Sequence, residues 1–115
     1  MALRVVEYVR EDGTSPYRKW FDGLQAQAAA KVATATLRLE MGNMSSVKWI
    51  GAIGEYRIDW GPGLRIYLAK DGNTLIILLG GGTKKRQQAD IERARASWAE
   101  FKARKAVAAR SKGNR

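Results

Sequence analysis

The sequence of 115 residues contains no cysteine and no histidine. Without these side chains the chain cannot form a disulfide, a thiolate nucleophile, a His-containing catalytic triad or a zinc site of the usual type. The acidic residues are scattered, and neither a D-x-D nor an E-x-x-E spacing occurs, so a two-metal nuclease site is not indicated either. The sequence therefore predicts that the protein works with no metal ion and no cofactor.

Long hydrophobic runs are also missing. The longest strongly apolar run covers residues 75–79, and the N-terminal segment has no apolar stretch of signal-peptide length. We therefore expect no signal peptide, no membrane span and a cytoplasmic protein, and the lack of cysteine agrees with that location. The length suits a single domain with its own core. We predict this domain over residues 1–105, followed by a basic tail over residues 106–115.

The first half of the chain predicts one strand and two helices. A strand is indicated over residues 3–9, and Ser15 followed by Pro16 is typical of a helix start. A second helix is predicted over residues 26–41, packed on the first as a hairpin. The apolar residues that we expect to be buried are Tyr17, Trp20, Phe21 and Leu24 in the first helix, and Ala28, Val32, Ala35 and Leu39 in the second.

The second half of the chain alternates with the period of a β-strand. Strands are predicted over residues 47–60, 64–69 and 74–79, with a turn at residues 61–63 and a glycine turn at residues 80–82. A final helix should begin near Lys84 and end near Lys105. The order β-α-α-β-β-β-α predicts an α+β fold with a small, mostly antiparallel sheet, an N-terminal helical hairpin and a C-terminal helix. The apolar stripe of that last helix consists of Ile91, Ala94, Trp98 and Phe101.

Two arginines of the central hairpin form the first candidate site. If the turn between the strands has three residues, Arg57 lies opposite Tyr67, and Asp59 lies opposite Arg65. Both guanidinium groups then share the face away from the core and lie on the surface. There they could hold a phosphodiester, because guanidinium is planar, bidentate and permanently charged. The alternative is an exposed ladder in which the arginines pair with Glu55 and Asp59.

Positive charge is concentrated at the end of the chain. The protein has 21 Lys and Arg residues against 11 Asp and Glu residues, which gives a net charge of +10. Residues 84–115 alone contain eleven bases and three acids. This end should attract a polyanion, either nucleic acid or an acidic protein. The alternative is that the charge only keeps the protein in solution.

The second candidate site is the basic run after the glycine turn. Lys84, Lys85 and Arg86 are placed at the predicted start of the last helix, where the helix dipole disfavours cations. An anion bound there would remove this conflict. The alternative is a helix start whose long side chains extend into water. The run is not a P-loop, because the G-x-x-x-x-G-K-[ST] pattern does not fit it.

Several short motifs occur in a fixed order along residues 3–104. They are Trp20-Phe21-x-x-Leu24, Leu39-x-x-Gly42-Asn43, Gly54-Glu55-Tyr56-Arg57-Ile58, Gly61-Pro62-Gly63-x-Arg65-Ile66-Tyr67, Leu78-Leu79, and Gly81-Gly82-x-Lys84-x-x-Gln87-x-x-Asp90-Ile91 with Ala94. Together they resemble the RelE/ParE toxin superfamily, in particular its phage-derived addiction-module killer-protein (HigB-like) branch. The resemblance implies the toxin of a type II toxin–antitoxin system, an endoribonuclease acting on mRNA on the ribosome and blocked by a helix-turn-helix antitoxin.

The resemblance also implies roles for individual residues. The catalytic positions of the family correspond here to Arg57, Arg65 and Lys84. Such toxins cleave RNA without a metal ion, by attack of the ribose 2′-OH on the adjacent phosphate. Some relatives carry a catalytic Tyr or His near the C-terminus, whereas the last tyrosine here is Tyr67, so the general base stays open. The residues implied to contact RNA are Lys48, Tyr67, Lys85, Arg86 and Gln87.

Two other functions are compatible with the same sequence. One is a ParE-like toxin that poisons DNA gyrase and cuts no RNA. The other is a module that only binds its antitoxin or DNA. The cluster of Arg57, Arg65 and Lys84 favours the ribonuclease.

Overall fold

A computed structural model describes residues 2–113 of the chain. The elements, in chain order, are β1 (Arg4–Glu7), α1 (Pro16–Asp22), α2 (Ala26–Glu40), β2 (Val47–Ile50), β3 (Ile53–Ile58), β4 (Leu64–Asp71), β5 (Leu75–Thr83), a 3₁₀ turn (Lys84–Arg86) and α3 (Gln87–Gly113).

The five strands form one sheet in the order β1-β5-β4-β3-β2. Strand β1 runs parallel to β5, and the other three pairs are antiparallel. The predicted α+β class with a mostly antiparallel sheet is confirmed. Among the described residues no helix is both long and apolar enough to span a membrane.

Each face of the sheet has its own apolar core. Helices α1 and α2 cover one face, and helix α3 covers part of the other. The buried stripe predicted for α2 is confirmed, as are Ile91 and Ala94 of α3, while Trp98 and Phe101 are partly buried. The buried side chains under α1 and α2 include Val32, Leu39, Ile66, Leu68 and Ile76, and those under α3 include Ile53, Tyr67, Ala69, Ile77 and Leu79.

The start of α1 follows the sequence prediction. The side chain of Ser15 accepts a hydrogen bond of 3.0 Å from the backbone N–H of Arg18, and Pro16 occupies the first helical position. This cap satisfies one of the four free N–H groups at the helix start. The helix therefore begins at a defined residue and directs its aromatic side chains onto the sheet.

The predicted strand over residues 47–60 is two strands. Strands β2 and β3 pair as a hairpin around Gly51 and Ala52. Gly51 has a φ of +64°, which an L side chain rarely adopts, and this glycine permits the tight turn. The sequence prediction missed this turn because one glycine in an alternating segment is a weak signal.

The predicted register between β3 and β4 is wrong. The connecting loop has five residues, 59–63, because the backbone N–H of Gly63 donates a hydrogen bond of 3.0 Å to the carbonyl of Trp60 and closes the loop on itself. The partner of Arg57 is therefore Arg65 and not a residue two positions further along β4.

The three glycines at 80–82 belong to β5 and do not form the predicted turn. At Gly81 and Gly82 a side chain is excluded because a neighbouring residue packs closely on each face of the strand. A methyl group on Gly81 would overlap the indole of Trp20, and one on Gly82 would overlap the carboxylate of Asp90. These glycines thus provide close packing of α1 and α3 on the sheet.

Helix α3 is longer than predicted. It starts after the 3₁₀ turn and continues past Lys105 to Gly113. Alanine and long basic side chains favour the helical backbone even without packing, which explains the extension. Residues 106–111 are all exposed, so this part of α3 adds no core. Residues 114 and 115 of the predicted tail lie outside the described residues.

Candidate functional site

Polar side chains form a row across the sheet on the face that carries α3. Arg57 of β3 is the direct partner of Arg65 of β4, and Glu55 is the partner of both Tyr67 on one side and Lys48 on the other. Partners in an antiparallel ladder lie on one face, and so do alternate residues of one strand. The predicted sharing of a face by the two arginines, opposite the core under α1 and α2, is confirmed.

The carboxylate of Glu55 is the centre of this cluster, and it is fully buried. Its Oε1 accepts a hydrogen bond of 2.7 Å from Nε of Arg57. Its Oε2 accepts one of 2.7 Å from Nε2 of Gln87 and one of 3.2 Å from the hydroxyl of Tyr67. Nε of Arg65 lies 4.0 Å from the same oxygen. The carboxylate of Glu55 thus contacts two arginines and the first residue of α3.

The environment fixes the charge of two groups in the cluster. Burial raises the pKa of Glu55, but the hydrogen bonds from Arg57 and Gln87 outweigh it and bring that pKa below its usual range. Burial, the charge of Glu55 and the hydrogen bond to it raise the pKa of Tyr67. At neutral pH Glu55 is therefore an anion, and Tyr67 keeps its proton.

Arg65 is buried, which corrects the expectation that it lies on the surface. Only 8% of the residue is exposed. Its Nη1 reaches the carbonyl of Leu64 at 3.5 Å, and its Nε is buried with no hydrogen-bond partner. A buried N–H without a partner costs about 1–3 kcal/mol. The guanidinium is thus held in place with donor capacity that the folded chain does not use.

Lys84 joins the two arginines from the end of β5. Its backbone N–H donates a hydrogen bond of 2.9 Å to the carbonyl of Gly63. A methyl group on Gly63 would lie 3.1 Å from Nη1 of Arg65 and 3.3 Å from Cβ of Lys84, so these two residues flank the same glycine. The Lys84 side chain is exposed. The structure therefore brings Arg57, Arg65 and Lys84 together.

The structure separates the other predicted contact residues. Lys48 is exposed at the rim of the cluster, beside Glu55. Gln87 is half-buried and binds Glu55, and Tyr67 has no exposed surface. Lys85 is exposed next to Lys84. The remaining predicted contact, Arg86, lines a different groove, between α1 and α3.

The three bases after β5 do not start the α-helix as predicted. Residues 84–86 form a 3₁₀ turn, and α3 itself starts at Gln87. The side chain of Thr83 makes no capping hydrogen bond. The bases thus lie directly before the first turn of α3, at the positive end of its dipole.

The alternative of an ion-pair ladder is found in part. Glu55 pairs with Arg57, whose side chain is 44% exposed, but Asp59 lies in the loop and forms no ion pair with Arg65 in the part of the chain that the structure describes. Glu55 therefore faces two guanidinium groups and a nearby ammonium, while the second carboxylate on this face, Asp90 over Gly82, pairs with Arg93. This excess positive charge, partly withdrawn from water, is suited to binding an anion.

Glu55 and Gln87 are the residues whose structural role the sequence did not reveal. Glu55 was expected only as a surface partner of Arg57, and Gln87 as an RNA contact. The available signal was the alternation of a carboxylate with an arginine two residues later in a strand, which places both on one face.

Comparison with known proteins finds a relative of this chain. A Haemophilus influenzae protein described as uncharacterized is 38% identical over 84 residues, which cover 71% of this chain and 85% of that protein. No protein-family model matches the chain.

Proposed function

The chain belongs to the same protein family as the uncharacterized Haemophilus influenzae protein, and we propose that it is an endoribonuclease that cleaves mRNA without a metal ion. We further propose that it is the toxin of a type II toxin–antitoxin system of RelE/ParE type, inhibited by a cognate antitoxin. The observation that supports the nuclease most directly is the pairing of Arg57 with Arg65 beside Lys84, with an unused, buried N–H on Arg65.

The proposed chemistry follows from the charges of this cluster. A phosphodiester held by Arg57, Arg65 and Lys84 gains negative charge as the 2′-oxygen attacks the phosphorus, and preorganised cations stabilise that charge. The proton of the 2′-hydroxyl passes to water as the bond to the 5′-oxygen breaks, which gives a 2′,3′-cyclic phosphate and a 5′-hydroxyl. Glu55 acts as a positioning residue, because it fixes Arg57 and lies beside Arg65 without exposed surface of its own.

Proton transfer is assigned by the exposure of the groups. Tyr67 is buried and its pKa is raised, so it does not serve as the base. Lys84 is the exposed ammonium of the cluster, and we assign it to protonate the leaving 5′-oxygen. This assignment agrees with a chain that contains no histidine.

The test is cleavage of a defined mRNA by the purified protein in the presence of EDTA, with and without ribosomes. We expect the two product ends given above, and cleavage in a ribosome-bound transcript. Substituting Arg57→Met, Arg65→Met or Lys84→Met should each reduce the cleavage rate about 10²–10³-fold, since each removes a cation at the transition state. Methionine retains most of the apolar bulk that alanine would remove. Arg38→Met, at an exposed position of α2, is the matched control and should cleave normally.

The outcomes separate the candidate functions. Normal cleavage by all three variants would show that the cluster is not the active site. Growth arrest without RNA cleavage, together with inhibited gyrase supercoiling, would favour the ParE-like toxin instead. Rescue of growth by a small helix-turn-helix protein encoded beside this gene would support the proposed antitoxin.

A further inference from the structure

Strand β5 is longer than the neighbour that covers its outer edge. Strand β1 pairs with residues 75–78 only, and the backbone N–H of Tyr8 makes the last hydrogen bond, 2.9 Å to the carbonyl of Leu78. The chain then leaves the sheet. On this side residues 79–83 have no neighbouring strand among the described residues. The other side of residues 80–83 pairs with β4, and Leu79 is the extra residue of a β-bulge between Leu78 and Gly80.

This free edge is the floor of a groove of about 810 Å³. Helix α1 borders the groove on one face of the sheet and α3 on the other. The glycines at 80–82 put no side chain on the floor, and the backbone of Gly80 and Gly81 is partly exposed, whereas Gly82 is buried. Four bases and two acids line the groove beside Trp20; they are Arg10, Lys19, Arg86 and Arg93, and Asp12 and Asp90.

An open strand edge tends to pair with another chain, and proteins usually cover or block it. Here neither a proline nor a covering strand blocks residues 79–83 in the described chain. The groove therefore has the form of a site for strand addition.

A buried acceptor on the floor supports this use. Asp90 is 9% exposed, and its Oδ1 accepts a hydrogen bond of 3.0 Å from Arg93. Its Oδ2 is buried, has no hydrogen-bond partner and lies against Gly82 on the floor of the groove. An incoming backbone N–H would give this oxygen the partner that it lacks.

The charge of the walls selects the ligand. Lys19 and Arg86 form no ion pair with any residue that the structure describes, and Arg10 reaches Glu100 only at 3.9 Å. Acidic side chains on an added strand would meet these bases on both walls. A second copy of this chain would bring the same positive charge and be repelled, because its net charge is +10.

We propose that the groove between α1 and α3 binds an extended acidic segment of a partner protein, which adds to β5 as a sixth strand over residues 79–83. Main-chain hydrogen bonds to the free edge hold the segment, and the bases of the walls select its acidic side chains. The proposal does not depend on RNA cleavage, since Arg57, Arg65 and Lys84 do not line the groove, although Gly82 on its floor is the ladder partner of Arg65.

The test uses the full chain labelled with ¹⁵N and a synthetic peptide of alternating Val and Glu. We expect saturable binding, with the largest shifts and added exchange protection at the amides of residues 79–83. Two control peptides separate the contributions. The same peptide with alternate N-methylated amides cannot pair with the edge, and the Val-Gln peptide lacks the charge, so both should bind much more weakly.

A matched pair of protein variants locates the charge effect. Lys19→Glu should weaken binding of the Val-Glu peptide about tenfold or more, because it places like charges together. Lys31→Glu, at an exposed position of α2 that does not line the groove, should leave it unchanged. Equal binding of the N-methylated or the Val-Gln peptide would overturn the proposal. The proposal would also be wrong if a higher protein concentration alone caused the same amide shifts, because that result indicates self-association. The same shifts caused by an RNA oligonucleotide would contradict it as well.

Discussion

The two faces of the sheet differ in the polarity of the residues buried on them. Under α1 and α2 the buried residues are apolar or tyrosine, and no buried charged residue lies there among the described residues. The face under α3 contains the four polar residues that are buried in the described part of the chain, which are Glu55, Arg65, Asp90 and Ser97. Two buried polar atoms have no hydrogen-bond partner within residues 2–113, Nε of Arg65 and Oδ2 of Asp90, and both belong to this face.

This difference assigns stability to one face of the sheet and ligand binding to the other. Burial of apolar side chains under α1 and α2 is favourable without any bound ligand. It supplies the free energy that offsets the loss of chain entropy on folding. The unpaired polar atoms on the other face oppose folding until a ligand supplies their partners. We infer that the apolar core under α1 and α2 stabilises the fold. The other face keeps polar atoms without partners at the arginine cluster and at the groove, where a ligand could supply them.

Truncation of a side chain in the core under α1 and α2 should cause the largest loss of stability. Leu39→Ala removes a side chain with no exposed surface, and we expect the free energy of unfolding to fall by about 2–5 kcal/mol. Leu37→Ala, two residues away and 56% exposed, should change it by less than about 0.5 kcal/mol. Urea unfolding followed by circular dichroism measures both. Similar values for the two variants would contradict the packing of α2.

The α3 face should respond to charge, and Glu55→Gln tests this. Hydrogen bonds to a charged group contribute about 1.5–3 kcal/mol, and we expect a loss of that order at neutral pH. The folded-state pKa of Glu55 is lowered, so its contribution is present above the usual pKa of a glutamate and is lost as pH falls through the lowered value. Unfolding at several pH values should therefore show a shallower acid limb in the variant.

Glu7 provides the control for this pH effect. A hydrogen bond from Arg18 lowers its pKa as well, but Glu7 lies on β1, away from the arginine cluster. Glu7→Gln should flatten the same acid limb and leave RNA cleavage unchanged, whereas Glu55→Gln should reduce cleavage too. Equal cleavage by both variants would argue against the positioning role of Glu55.

The sequence predicted those parts of the fold that depend on one element alone. The buried stripe of α2 follows from the helical period, and the start of α1 follows from Ser15 and Pro16. The pairing of β3 with β4 depends on how the loop at residues 59–63 closes, which a glycine and proline pattern does not determine. The glycines at 80–82 were interpreted by their usual role in turns, and their contacts with α1 and α3 are visible only in three dimensions.

The same limit applies to the site. The residue types and the spacing of Arg57, Arg65 and Lys84 identified the cluster that the structure brings together. The burial of Arg65 and the central place of Glu55 depend on the actual register and on Gln87, which belongs to a distant element. A pattern within one strand identifies its face, but it does not identify what another element places on that face.

The glycines of β5 test the contact between the sheet and α1. Gly81→Ala should reduce the free energy of unfolding by about 1–3 kcal/mol, because its methyl group would overlap the indole of Trp20 and force the helix to shift. At Gly80 an added methyl group meets no atom within 4 Å, so Gly80→Ala is the control and should not destabilise the protein. Thermal unfolding compares them, and equal loss in both would point to the backbone and not to Trp20.

The exposed end of α3 should have the smallest effect on stability. Residues 106–111 are exposed, and the ion pair of 2.7 Å between Lys105 and Asp71 lies just before them. Removal of residues 106–115 should therefore change the free energy of unfolding by less than about 0.5 kcal/mol. It also removes three bases, Arg110, Lys112 and Arg115.

RNA binding should respond to this truncation through its salt dependence. Each phosphate contact that is lost lowers the slope of log K against log salt by about 0.7 for single-stranded RNA. A full-length variant with glutamine at the three basic positions separates charge from chain length, and it should reproduce the reduced slope. If the truncated protein instead loses several kcal/mol of stability while this variant does not, the end of α3 packs on the domain, and the division at residue 105 is wrong.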